Sequence, residues 1–214
     1  MIPIIFDLDG TLVDSLSSIH AAASRTLADY RHDPLAPAHV ATFVGWGERV
    51  FVEKMIADTD LQIADFDDVL RVFMGHYAQT STEVEVFPGV KATLESLRAK
   101  GHKTGLCTNK PGVPTGVVLK AAGLDGLLDV VVAGDTLPKR KPDPAPLVYL
   151  MEQLGAPRII YVGDTPIDAE TAQRAGVPFA LYSEGIRTVP LKDIPHDIAF
   201  SHYDAFDKVL AALT

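Results

Sequence analysis

The sequence predicts an α/β protein: a Rossmann-like parallel sheet core with an inserted all-helical cap domain after the first strand. Three observations predict it. Short, mostly apolar runs alternate with stretches of helical periodicity along most of the chain, the pattern of βαβ units. The alternation breaks once, over residues 15–82, where helical patterns follow one another and no strand is evident. The 214 residues are 47% hydrophobic and 22% charged, enough for a globular core and too apolar for a disordered chain.

Residues 3–6 are an apolar run that ends in Asp7-Leu8-Asp9-Gly10-Thr11, a buried strand closing in a turn. Residues 15–30 carry Leu16, Ile19, Ala23 and Leu27 at helical spacing, and 47–57 and 63–79 also read as helices. Two loop signals separate them, Asp33-Pro34-Leu35-Ala36-Pro37 and Gly45-Trp46-Gly47, and the acidic Asp65-Phe66-Asp67-Asp68 reads as a solvated helix start. The alternation resumes at Phe87-Pro88-Gly89. Strands are expected at 103–108, 128–133, 159–162 and 178–181, and helices at 90–100, 114–122, 144–154 and 167–175. A last strand at 197–200 and a closing helix at 203–213 complete the chain. The expected organisation is a core of residues 1–14 and 83–214 and a cap of residues 15–82.

With 19 Lys+Arg against 28 Asp+Glu, the net charge is −9, a poor match for nucleic acid or an anionic membrane that still allows a local cationic pocket. The lone Cys107 permits no intrachain disulfide and reads as a buried structural residue. The seven histidines show no metal-ligand spacing. No apolar run approaches membrane-spanning length and the N-terminus does not read as a signal peptide, so the expectation is a soluble, cytoplasmic protein whose oligomeric state stays open.

In an open parallel sheet, ligands gather at the carboxyl ends of the strands. The first strand ends in Asp7 and Asp9, the second in Thr108-Asn109-Lys110, and the fourth in Gly163-Asp164 with Asp168 four residues on. After the third comes Lys139-Arg140-Lys141-Pro142-Asp143-Pro144. Carboxylates, a hydroxyl and a lysine on one edge suit a hard cation together with a phosphate. Each residue has a plainer reading beside this one. Asp-Gly is a common turn former, Thr108 suits a helix N-cap, and Asp164 and Asp168 suit a helix dipole. A run of three basic residues is usually solvated surface.

The motif Asp7-Leu8-Asp9-Gly10-Thr11-Leu12-Val13-Asp14-Ser15, followed in order by Thr108, by Lys141 before Pro142, and by Gly163-Asp164 with Asp168, resembles the haloacid dehalogenase-like hydrolases over essentially the whole chain. Within that superfamily the strings Val44-Gly45-Trp46-Gly47, Phe87-Pro88-Gly89-Val90, Thr108-Asn109-Lys110-Pro111 and Lys141-Pro142-Asp143-Pro144 are most similar to the phosphoglycolate phosphatase branch. The resemblance implies Asp7 as a nucleophile that forms an aspartyl-phosphate and Asp9 as general acid/base. It implies phosphate binding by Thr108, Asn109 and Lys141. It further implies Mg²⁺ held by Asp7, Asp164 and the Asp9 backbone carbonyl, with Asp168 supporting through a metal-bound water. The expected activity is Mg²⁺-dependent hydrolysis of a small phosphomonoester, 2-phosphoglycolate foremost. A sugar-phosphate phosphatase or phosphomutase of the same superfamily is the alternative, and a non-catalytic binding module a more distant one. Asp9 argues for phosphoryl chemistry over dehalogenation. The β-phosphoglucomutase branch carries a cap histidine at the position of Ile19, whereas here the histidine is His20. Substrate choice is expected from the loop Gly45, Trp46, Gly47 and Arg49, although Trp46 departs from the Asn usual in the phosphoglycolate phosphatases.

Overall fold

The computed structural model describes residues 1–59, 61 and 65–214. From the N-terminus the chain runs through β1 (Ile4–Phe6), β2 (Val13–Asp14), α1 (Leu16–Asp29), α2 (Pro37–Ala41), α3 (Glu48–Asp58), α4 (Phe66–Thr80) and β3 (Glu85–Val86). It continues through α5 (Val90–Ala99), β4 (Thr104–Cys107), α6 (Gly112–Ala121), β5 (Val130–Val132), α7 (Ala145–Leu154), β6 (Ile160–Gly163), α8 (Pro166–Ala175), β7 (Phe179–Tyr182), β8 (Ile198–Phe200) and α9 (Phe206–Leu213).

Six strands form one sheet in the order β5-β4-β1-β6-β7-β8, every neighbouring pair parallel. The order reverses at β1, so β1 is central and the crevice beyond its carboxyl end is the natural ligand site. Strand alternation divides the core into two layers. Ile4, Phe6, Leu106 and Val162 pack with Val90, Leu94, Val118 and Val209 on one face. Ile5, Cys107, Tyr161 and Leu181 pack with Leu147, Leu150, Ala169 and Ala172 on the other. The nearly continuous apolar runs seen in the sequence follow from this two-sided burial.

Residues 19–77 build a third, separate cluster in which α1, α3 and α4 bury Ala23, Leu27, Phe51, Met55, Val69 and Phe73 against one another. The helical block leaves and rejoins the core through a two-stranded antiparallel ribbon, with Val13 opposite Val86 and Asp14 opposite Glu85. That ribbon and α2 are additions to the expected elements. Of the helix expected at 63–79, residues 63 and 64 lie outside the described residues. The observed α4 starts after Asp65, whose carboxylate caps the Asp67 N–H at 2.9 Å. The closing helix expected at 203–213 opens with a 3₁₀ turn, Tyr203–Ala205. Among the described residues no helix is long and apolar enough to cross a membrane.

Candidate active site

The ladder of β1 carries on one residue past the strand: the Asp7 N–H donates to Val162 O at 2.9 Å, which fixes the Asp7 backbone at the sheet's centre. Its side chain is buried beside two others, and carboxylate oxygens of Asp7, Asp164 and Asp168 lie within 4.8 Å of one another. Gly10 permits this crowding. Its φ of +84° suits glycine, and a Cβ there would stand inside the van der Waals shell of Asp164 Oδ2. Asp164 accepts from Thr11 Oγ1 at 2.9 Å and from the Ile186 N–H at 2.8 Å.

Lys141 enters from the loop before α7 and is almost wholly buried. Its Nζ donates to Asp168 Oδ1 at 2.7 Å and to the Tyr161 hydroxyl at 2.9 Å, and stands 3.0 Å from Asp7 Oδ1. That last contact is a buried ion pair. Burial lifts the Asp7 carboxyl to about 7 against the pull of Lys141, with Asp168 and Asp9 adding repulsion. Burial also raises Asp164 well above the ordinary carboxylate value, with Asp168 and Asp7 adding to it. Asp168 goes the other way: burial raises it, but the Lys141 charge and hydrogen bonds from Lys141, Thr165 and Tyr161 hold it below the usual value. Cys107 behaves as expected of an inert buried thiol, pushed up to about 12 by burial.

Asp168 closes a capping box with Thr165 at the start of α8. Oδ1 accepts from Lys141 and Tyr161, and Oδ2 from Thr165 Oγ1 at 2.6 Å and the Thr165 N–H at 3.1 Å. Both oxygens are thus engaged with the protein, and one task of Asp168 is to hold Lys141.

Thr108 and Asn109 follow β4, and both are buried against the cleft. Thr108 Oγ1 accepts from the Lys110 N–H at 3.2 Å, leaving its own proton free to donate. The Asn109 side chain is engaged with the protein itself. Its Nδ2 donates to Gly45 O at 2.8 Å and Lys141 O at 2.9 Å, tying the cap loop to the core. The backbone N–H of Asn109, which donates to no protein group among the described residues, is what it can offer a phosphate.

The loop expected to read the substrate divides. Gly45 and Gly47 line the cleft. Trp46, between two glycines of positive φ, turns outward, 39% exposed and beneath Lys54 Nζ at 5.3 Å. Arg49 lies on the outer side of α3, with Nη2 3.4 Å from Asp67 and its guanidinium over the Phe66 ring at 4.8 Å. Helix phase explains this. Glu48, the first residue of α3, lines the cleft together with Phe51 three residues on, which turns Arg49 away. The cap's inner wall is instead apolar, made by Ile19, Phe43, Phe51 and Phe73, with Tyr77 at its base. His20 is turned to Leu35 O at 2.9 Å, and Ile19 occupies the cleft.

Sequence reasoning missed Lys110, Tyr77 and Tyr161. Lys110 Nζ lies 2.7 and 2.9 Å from the two oxygens of Asp9 and also bonds the Tyr77 hydroxyl. In the sequence Lys110 follows Thr108-Asn109 directly after β4. Tyr161 carried only its strand parity, which places it on the face of Ile5 and Cys107.

Among the described residues, the clustered ligand atoms are buried carboxylate oxygens of three residues, two of which, Asp7 and Asp168, pair with Lys141. This cluster of hard oxygen donors from Asp7, Asp164 and Asp168 fits a divalent cation.

A parallel sheet that delivers paired acids from its central strand beneath a helical lid defines a capped α/β hydrolase of the Rossmann-like kind. The profile of the "Haloacid dehalogenase-like hydrolase" family matches residues 4–182. A phosphoglycolate phosphatase of Cereibacter sphaeroides is 41% identical over 217 residues, covering 98% of this chain and 98% of its own. That of Rhodospirillum rubrum is 43% identical over 201 residues, covering 89% and 83%. The crystal structure of a predicted phosphoglycolate phosphatase from Haemophilus somnus superposes with a TM-score of 0.89 at 29% identity, covering 97% of each chain. A hydrolase from Pseudomonas syringae, at 22% identity and a TM-score of 0.82 over the whole of both chains, shares the fold. The chain belongs to the haloacid dehalogenase-like hydrolases.

Proposed function

We propose that this enzyme is a Mg²⁺-dependent phosphomonoester hydrolase acting on 2-phosphoglycolate in a cytoplasmic setting, through a core of residues 1–14 and 83–214 closed by a cap of residues 15–82. The observation that carries it is Asp7: a buried carboxylate at the end of the central strand, paired with Lys141 at 3.0 Å, set in the acidic cluster and lining the cleft. A nucleophile needs a fixed position beside the cationic group that will hold the phosphoryl oxygens.

A carboxylate oxygen of Asp7 attacks phosphorus, and the bond to the leaving alcohol breaks. Asp9 gives that alcohol its proton, then takes one from the water that cleaves the aspartyl-phosphate. Lys141, the Thr108 hydroxyl and the Asn109 N–H neutralise the phosphoryl oxygens. Asp168 and Tyr161 hold Lys141 in place for this. Mg²⁺, when bound, would add charge neutralisation at the same oxygens.

The substrate assignment draws on the two phosphoglycolate phosphatase relatives and on the cleft wall. Sugar hydroxyls buried against Ile19, Phe43, Phe51 and Phe73 would lose their hydrogen bonds to water without replacement. 2-Phosphoglycolate carries none of those hydroxyls, and its single carboxylate has to be met by polar groups of the same cleft, where Asn109 and Lys110 stand beside the apolar wall. Ile19 in place of a cleft histidine also argues against phosphomutase chemistry. The test is phosphate release with Mg²⁺ from 2-phosphoglycolate, a hexose phosphate and an aryl phosphate. The expected result is highest kcat/KM for 2-phosphoglycolate, and a higher value for the hexose phosphate overturns the assignment.

A further inference from the structure

The site contains two lysine–carboxylate couples, and each lysine is held by a tyrosine. Lys141 serves Asp7 and Asp168 and is bonded to Tyr161, all from the core. Lys110 serves Asp9 and is bonded to Tyr77, and Tyr77 belongs to α4 of the cap. Lys110 Nζ also lies 4.6 Å from the centre of the Tyr77 ring. The three Nζ protons are matched by three acceptors, the two Asp9 oxygens and the Tyr77 hydroxyl.

Both ends of this bridge are rigid. The Lys110 main chain is fixed by its N–H on Thr108 Oγ1, and its carbonyl accepts from the Gly134 N–H at 2.9 Å and from Thr115 Oγ1 at 3.2 Å. Tyr77 ends a run of aromatic contacts through the cap, Phe43 to Phe51, Phe51 to Phe73 and Phe73 to Tyr77, with centroids 5.6, 4.9 and 5.6 Å apart. The Lys110 side chain is only 2% exposed, so its charge has Asp9 and Tyr77 and almost no water. Any movement of the cap away from the core strips Tyr77 from Lys110 while leaving the Lys141 couple whole.

We propose that Lys110 is a positioning residue for Asp9 and that Tyr77 is the cap's hold on Lys110, so that seating the cap and aiming the Asp9 carboxyl at the leaving oxygen are one event. The inference rests on the reading of Asp9 as the acid that protonates the leaving alcohol.

Leaving-group dependence separates this role from a structural one, because an activated aryl phosphate needs little protonation and an alkyl phosphate needs it fully. The measurement is kcat/KM with Mg²⁺ for 2-phosphoglycolate and for 4-nitrophenyl phosphate in Lys110→Met, Tyr77→Phe, the double variant and Asp9→Asn. Lys110→Met is expected to lose about 100-fold on 2-phosphoglycolate and only a few-fold, roughly, on the aryl ester. Tyr77→Phe, which removes one hydroxyl and keeps the aromatic packing, is expected to lose about tenfold with the same bias. The double variant should lose no more than Lys110→Met alone, since the two act through one chain of contacts. Equal losses on both esters, or losses that multiply in the double variant, overturn the inference. Tyr77→Phe decides the matter alone if Lys110→Met does not fold. Asp9→Asn is the reference. If it shows the bias and the other variants do not, the inference fails while the reading of Asp9 stands, and if it shows none, both fall.

Discussion

Raising the pH of the metal-free enzyme from about 5 to about 8 should destabilise it, and Mg²⁺ should restore more stability at the upper pH than at the lower. In the folded state Asp7 titrates at about 7 against an ordinary 3.8, and Asp164 is raised as well. Between these values the folded protein holds protons that the unfolded chain has released, so stability falls as pH rises through the window. Asp168 has a depressed value, so its contribution is fully present above its ordinary 3.8 and does not change across this range. For Asp7 alone the part of its rise lying above about pH 5, roughly two pH units, corresponds to about 3 kcal/mol. In a chain of this size that is on the order of 10 °C in Tm. A divalent cation favours the ionised carboxylates and so works against the same loss. Thermal melts with chelator and with Mg²⁺ at both pH values, on wild type and Asp7→Asn, measure it. The wild-type excess in pH slope over Asp7→Asn isolates Asp7 from the other titrating groups. A chelated wild type no less stable at about pH 8 than Asp7→Asn predicts, or a Mg²⁺ shift equal at both pH values, would refute the reasoning.

Asp7→Asn should release no phosphate from any monoester yet melt cooperatively, and Asp9→Asn should lose about 10²–10⁴-fold in kcat, both read by phosphate assay. Gly10→Ala should cost about 1–2 kcal/mol from its left-handed φ alone and displace Asp164. It should therefore raise the Mg²⁺ needed for half-maximal thermal stabilisation about tenfold. Arg49→Ala and Trp46→Asn should leave the kcat/KM ratio between 2-phosphoglycolate and an aryl phosphate within about twofold of wild type, as both side chains point away from the cleft. A larger change in that ratio would return substrate selection to the loop.

The parallel core was legible because its strands are buried on both faces and its helices carry one apolar stripe, so period alone separates them. The pair Asp7 and Asp9 was legible for a related reason, two acids at spacing two on the end of an apolar run. The β2–β3 ribbon was not, since two residues per strand cannot display an alternation. Nor was α2, whose start at Pro37 follows a Pro-rich stretch that reads as loop until its N1 proline is recognised as a helix opening. Gly45-Trp46-Gly47 was recognisable as a loop at the cleft, but which of its side chains enters depends on the phase at which α3 begins. Lys110 read as a polar residue after a strand and Tyr77 as the next position of a buried stripe after Phe73. Their contact spans 33 positions and exists only because the cap folds back over β4.

The ribbon of β2 and β3 means that residues 15–84 begin and end at the same place. Asp14 and Glu85 are directly opposed, and in an antiparallel pair that leaves their Cα atoms only about 5 Å apart. To the sheet, the whole helical insertion is a long loop across a gap that two residues of turn could close. Nothing in the order of the six parallel strands depends on what fills it. The junction itself would therefore accept a different helical unit with neighbouring ends, provided that unit again supplies a hydroxyl to Lys110 where Tyr77 now stands.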